Sequence, residues 1–328
     1  MTRNQPSRFR RNILLGISLL WLCCGSQQHL RAQTLPMKLL EDSSKIVFLG
    51  DSVTYTGHYV AQFDLWLEAQ QLESNPTVLN LGLPSETVSG LSEDGHAGGR
   101  FARPDLDERL DRVLEQTNPD LIIACYGINC GIYQPFDESR FQKYQEGIQN
   151  LVDKAAFAGV ELILLTPLPY DDSQSRLDFS YDDVMRKYAE WLVAEGERED
   201  WHVIDLHSAF NAELRSLRAR IPNFTFQRDA VHPNRAGHNL MGQVLLRSFE
   251  EDYNTPRVTG IDAVVERTKN MHILRDAWLD KIGHTRPGLS KGLTVEEAEL
   301  RYNSLTQMSK TIRKTQEKLA EDNAGQDK

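Results

Sequence analysis

The stretch KIVFLGDSVTY, residues 45–55, decides the fold. Ile46, Val47, Phe48 and Leu49 form the kind of short apolar run that makes a strand buried on both faces of a parallel sheet. The run stops at Gly50-Asp51-Ser52, and a helical pattern begins beyond it. A strand that turns through glycine into a helix sets its last side chains at the carboxyl edge of the sheet, where open α/β sheets keep their sites. Gly50 permits the tight turn. Ser52 stands at the start of the next helix, whose first N–H groups favour negative charge. Read alone, a serine there is a helix N-cap; beside the rest of the chain, it is a candidate nucleophile.

Three other stretches change the weighing. Val78-Leu79-Asn80-Leu81-Gly82 reads as a second strand closing on glycine, and LIIACYGIN, residues 121–129, as a third running into Gly127-Ile128-Asn129. Far downstream, Asp229-Ala230-Val231-His232-Pro233 forms a D-x-x-H loop. A serine hydroxyl is a poor nucleophile until a base takes its proton. Histidine suits that task because it titrates near neutrality. Asp229, three residues before His232, is placed to orient the imidazole, which is the logic of a Ser-His-Asp triad. Singly, each piece has a plainer reading: Asp229 as a turn residue, His232 as a surface histidine, Gly82 as a turn glycine, Asn129 as a cap.

In this order, over about residues 45–250, the four pieces resemble the SGNH/GDSL hydrolase family. The resemblance implies a flavodoxin-like α/β sandwich with a five-stranded parallel sheet, and chemistry without a cofactor. It implies Ser52, Asp229 and His232 as catalytic residues. It assigns the oxyanion hole to the Ser52 N–H, the Gly82 N–H and the Asn129 side-chain amide. One departure is visible: the family usually has Asp after the Asn of the third block, and this chain has Cys130.

Strands expected at 160–165 and 201–206 alternate with helices at 57–72, 105–116, 139–158, 181–196, 209–220 and 236–249. That rhythm independently gives a parallel sheet covered on both faces. Two long polar loops, 83–104 and 168–180, fall on the expected active edge, and loops of that length are often functional. Ser85, Glu86, Ser89, Glu93, Asp94, His96, Arg100 and Asp171 lie in them, with Leu91, Phe101 and Tyr170 scattered between. Such a lining suits hydroxyl-rich sugars better than acyl chains. After residue 254 the chain changes character. A helix over Ile261–Ile282 and a charged helix over 294–320 form a C-terminal extension, with a disordered tail at 321–328.

The 328 residues carry 37 basic and 47 acidic side chains, a net charge of −10, which argues against nucleic acid as a partner. Residues 1–33 hold five arginines and no acid, so the remainder is more acidic still and favours a neutral or cationic substrate. Arg3, Arg8, Arg10 and Arg11 precede an apolar run from Ile13 to Cys24, too short to span a bilayer comfortably. It reads as a signal peptide over 1–33, with a retained anchor as its competitor. Membrane insertion is not expected once that segment is removed. Cys125 and Cys130 are near neighbours whose pairing depends on geometry. No C-x-x-C, H-E-x-x-H or P-loop motif is present, so neither metal nor nucleotide is expected. The chain reads as a secreted serine esterase cleaving short O-acyl groups from carbohydrate, within a hydrolase domain at 34–254. Two alternatives stand beside it: a lipase or thioesterase of the same family, or a non-catalytic carbohydrate-binding protein on this scaffold.

Overall fold

A computed structural model of the chain describes residues 34–249 and 261–326, the side chains at 313, 314 and 316–326 excepted. The expected signal peptide, the boundary near residue 254 and the last two residues lie outside that range.

A short helix α1 (Lys38–Glu41) leads into strand β1 (Lys45–Gly50), followed by α2 (Ser52–Thr56), α3 (His58–Gln70) and β2 (Thr77–Asn80). The long loop holds α4 (His96–Gly99). Next come α5 (Asp107–Thr117), β3 (Leu121–Cys125), α6 (Glu138–Phe157), β4 (Glu161–Leu165), α7 (Asp182–Glu199), β5 (His202–Ile204), α8 (Leu206–Arg218) and α9 (Arg235–Arg247). Two C-terminal helices, α10 (Ile261–Ile282) and α11 (Val295–Gln326), complete the described chain. Residues 321–326, where a disordered tail is expected, continue α11 as helix.

The five strands form one sheet in the order β2-β1-β3-β4-β5, every pairing parallel. The two central strands are the most continuously apolar: all of β3 and all of β1 after Lys45 are buried, as a sheet covered on both faces requires. Gly50 of β1 pairs with Cys125 of β3, so both strands deliver their last residues to the same edge. The expected helix at 57–72 begins at His58. Gly57 breaks the chain there in a left-handed conformation (φ 81°), closing α2 and opening α3. Helix α3 is buried along nearly its whole length, from Tyr59 to Leu67, because α9 and α10 pack on it beside the sheet. A helix buried on nearly every side belongs in a core, and its few polar residues there need partners.

The extension belongs to the same compact unit as the sheet. Buried Met271, Leu274, Ala277 and Trp278 of α10 line the core, and α10 packs against α3, β2 and α5. Asp64, on the buried face of α3, pairs with Arg267 of α10 and accepts a hydrogen bond from Tyr302 of α11 at 3.2 Å. A carboxylate inside a helix bundle requires such partners, since an unpaired buried charge is costly.

Candidate active site

The turn after β1 sets the site. A Cβ on Gly50 would lie 2.1 Å from Thr54 Oγ1 and 2.8 Å from the Cys125 carbonyl, so glycine alone lets α2 fold back against β3. Asp51 caps α2, its side chain accepting from the Val53 N–H at 2.9 Å. Ser52 is therefore not the cap that a lone reading makes it, and its hydroxyl is free for another partner. That partner is His232: Ser52 Oγ lies 2.8 Å from Nε2. His232 Nδ1 in turn lies 2.8 Å from Asp229 Oδ2. The second Asp229 oxygen accepts from the backbone N–H of His232 at 2.8 Å and of Val231 at 3.1 Å. With Nδ1–H donated to Asp229, Nε2 is left to accept the serine proton, the tautomer being set by the bonding. Partial burial alone would raise the Asp229 pKa, but the hydrogen bonds from His232 hold it below the ordinary range. Asp51 behaves in the opposite way. Its burial pushes the carboxyl up to about 6, although the Val53 N–H and His232 both favour its charge.

Asn129 is buried beside this line. Its Oδ1 accepts from Arg103 Nη1 at 2.9 Å and from the Tyr133 hydroxyl at 3.1 Å. Its Nδ2 donates to the Glu86 carbonyl at 3.2 Å, and an amide nitrogen carries a second N–H. Arg103 is itself clamped by Glu93 through two contacts of 2.6 Å. The Glu86 side chain forms a fully buried ion pair with Arg109 at 2.6 Å and accepts from the Tyr126 hydroxyl at 2.6 Å. Gly82, which the resemblance also assigns to the oxyanion hole, is held by Asn80. Its N–H donates to Asn80 Oδ1 at 3.0 Å, while Asn80 Nδ2 donates to the Thr54 carbonyl at 2.7 Å. What Gly82 visibly supplies is room: a Cβ there would come 2.3 Å from the Tyr55 nitrogen.

The two long loops lie partly inside the protein. Glu86, Ser89 and Asp171 are buried, and Asp171 pairs with Arg218 at 2.8 Å. Tyr170 packs among Tyr133 and Tyr181, whose hydroxyl donates to the Ile128 carbonyl at 2.9 Å and steadies the loop holding Asn129. Two residues that support the site escape a reading of the sequence: Arg103, which Glu93 holds, and, from the extension, Arg275. Arg275 donates to the Tyr55 carbonyl at 2.6 Å and lies over the Tyr55 ring at 3.5 Å, bracing α2. No spacing in the sequence signals these pairings: Arg103 and Glu93 meet across the fold of one long loop, and Arg275 reaches Tyr55 from 220 residues away.

Cys125 and Cys130 are free and buried. Burial pushes the Cys130 thiol up to about 12 against the backbone of Val88 and Ser89, and raises Cys125 as well. Among the described residues no three His, Cys, Asp or Glu side chains gather as metal ligands do. No described helix is long and apolar enough to cross a membrane.

Among solved structures, the fold is similar to that of BT4096, a gut microbial diltiazem-metabolizing enzyme, at TM-score 0.51 and 21% identity. That match covers 66% of this chain, which spans about half (49%) of the other. An acetylxylan esterase from Geobacillus stearothermophilus, as a catalytic mutant, matches at TM-score 0.48 and 23% identity, covering 63% of this chain and 94% of that one. LAE5, an alpha/beta hydrolase enzyme from the metagenome of Lake Arreo, Spain, matches at TM-score 0.49 and 24% identity, with 63% and 94% covered. A search of curated proteins returned no match. The profile of the GDSL-like lipase/acylhydrolase family matches residues 48–240, a span that holds Ser52, Gly82, Asn129, Asp229 and His232. On that match the chain belongs to the GDSL-like lipase/acylhydrolase family and is a hydrolase of ester bonds.

Proposed function

We propose that the protein is a secreted serine esterase that removes short O-acyl groups from carbohydrate through an acyl-enzyme. The observation that carries the reading is the unbroken hydrogen-bonded line Ser52 Oγ, His232, Asp229, with both side-chain contacts at 2.8 Å. Ser52 attacks the ester carbonyl as His232 Nε2 takes its proton; the histidine then returns that proton to the leaving alcohol. Water, activated by the same nitrogen, releases the acid and restores the serine. The second N–H of Asn129 and the Ser52 N–H at the start of α2 stabilise the oxyanion. Gly82 joins them when substrate displaces Asn80 from its N–H.

The choice of short acyl groups on sugar rests on the loops. Their exposed residues include Asp94, Arg100, Gln174 and Arg176, and no exposed apolar run offers a groove for an acyl chain. Export rests on the arginine-rich start and the apolar run from Ile13 to Cys24. The test is hydrolysis rate against acyl length, from acetate to palmitate, with an acetylated xylan alongside and a serine-directed probe on the same preparation. We expect Ser52 to be labelled, acetate to be released and rates to fall with length. A rate that rises with chain length rejects the carbohydrate substrate in favour of a lipase. An unlabelled Ser52 rejects the catalytic reading.

A further inference from the structure

A cavity of about 450 Å³ opens between the 83–104 loop and the turn after α10. His96, Arg100 and Phe101 line it from the loop, and Arg286 from the turn; no carboxylate is among its lining residues. The Arg286 guanidinium lies over the Phe101 ring at 4.3 Å. Its Nε is buried without a hydrogen-bond partner among the described residues, and so is Nε2 of His96. Burial and the neighbouring charge of Arg100 lower the Arg286 pKa, the mark of two cations facing one space. His96 lies 3.0 Å through Nδ1 from Glu93, which leaves Nε2 able to accept from a hydroxyl.

The cavity is tied to the candidate active site through one carboxylate. Glu93 holds both His96 and Arg103, and Arg103 holds Asn129. Tyr55, three residues after Ser52, lies within electrostatic reach of Arg286. A guanidinium matches the planar fork of a carboxylate or the oxygens of a sulfate, and an arginine with an idle buried N–H has bonds to give. The net charge of −10 repels anions at long range, but this cavity is the local exception, at the short distances where pairing is decided.

We propose that this cavity is a substrate subsite for an acid-bearing sugar, in which Arg286 and Arg100 pair with a carboxylate or sulfate substituent while His96 accepts from a neighbouring hydroxyl. The proposal rests on the esterase reading for its place beside the scissile bond, but its test does not use hydrolysis. Ser52→Ala protein is titrated calorimetrically with an oligogalacturonate, a sulfated galactan oligosaccharide and a neutral xylo-oligosaccharide at low salt. One or both acidic sugars should bind about tenfold more tightly than the neutral one, the scale of a single charge-assisted hydrogen bond. Which of the two binds identifies the substituent. Adding Arg286→Gln should erase that preference; where it fails to fold, Arg100→Gln on the exposed loop carries the same test. Equal binding of acidic and neutral sugars, binding of none, or a preference that survives loss of the arginines overturns the subsite. Absence of ester hydrolysis by the unmodified protein, with the binding preference intact, counts against the esterase reading alone.

Discussion

The two arms of the site are built on opposite plans. The His232 arm is half exposed, with the side chains of His232 and Asp229 at 48% and 59% accessibility, and it is braced within one loop by residues three apart. The Asn129 arm is buried. It hangs from charges that join Glu86, Glu93 and Arg103 of the 83–104 loop with Arg109 of α5. The exposed arm can be replaced with little cost to the fold, because few buried groups lose a partner. In the buried arm, position and stability are the same property, since each charge that fixes Asn129 is also one the interior cannot leave alone.

Activity divides the arms most sharply. Ser52→Ala and His232→Ala should each lower turnover by about 10⁴-fold or more, while the thermal midpoint stays close to that of the unmodified chain. A large stability loss in His232→Ala breaks the contrast, and unchanged turnover in Ser52→Ala removes the nucleophile altogether. On the buried side, Arg109→Ala leaves Glu86 unpaired in the interior and should cost about 3–5 kcal/mol, read as a fall in the denaturant midpoint. Asn129→Ala removes the proposed oxyanion donor and should lower turnover by about 10²–10³-fold. A simultaneous loss of stability there sharpens the comparison, and full activity refutes the role.

The smallest effect is one of pH. Asp51 has its folded pKa raised to about 6 from 3.8 by burial. The folded state therefore favours the protonated acid. Its stabilising contribution is complete below the unfolded value and is lost as pH rises through the folded one. Asp51→Asn keeps the acceptor for Val53 without the charge. Relative to the unmodified chain it should gain about 3 kcal/mol on going from acid to neutral pH. Parallel stability curves for the two proteins would show that Asp51 does not titrate in this range.

The contrast also explains what the sequence discloses. The sheet was legible because parallel strands buried on both faces must be continuously apolar, as Ile46–Leu49 and Leu121–Cys125 are. The exposed arm was legible because its order is local: Asp229 and His232 are neighbours in the chain before they are neighbours in space. The buried arm was legible at Asn129 alone, and not in the charges that hold it. Glu86 looks like a polar loop residue, and only the partner Arg109, 23 residues away and on another element, turns it inward. The same holds for Asp64, whose partner Arg267 lies 203 residues on. A charge network closed by tertiary contacts has no period, so it leaves no pattern to read.

The two buried thiols carry a practical consequence. Cys125 is 6% accessible, Cys130 is sealed, and both are held as thiols by their surroundings. A thiol reagent meets them only when the sheet edge opens, since the thiolate is the reactive form and neither access nor ionisation is available in the native state. Alkylation of these two positions is thus a built-in clock for opening of the central sheet, readable by mass without any engineered label.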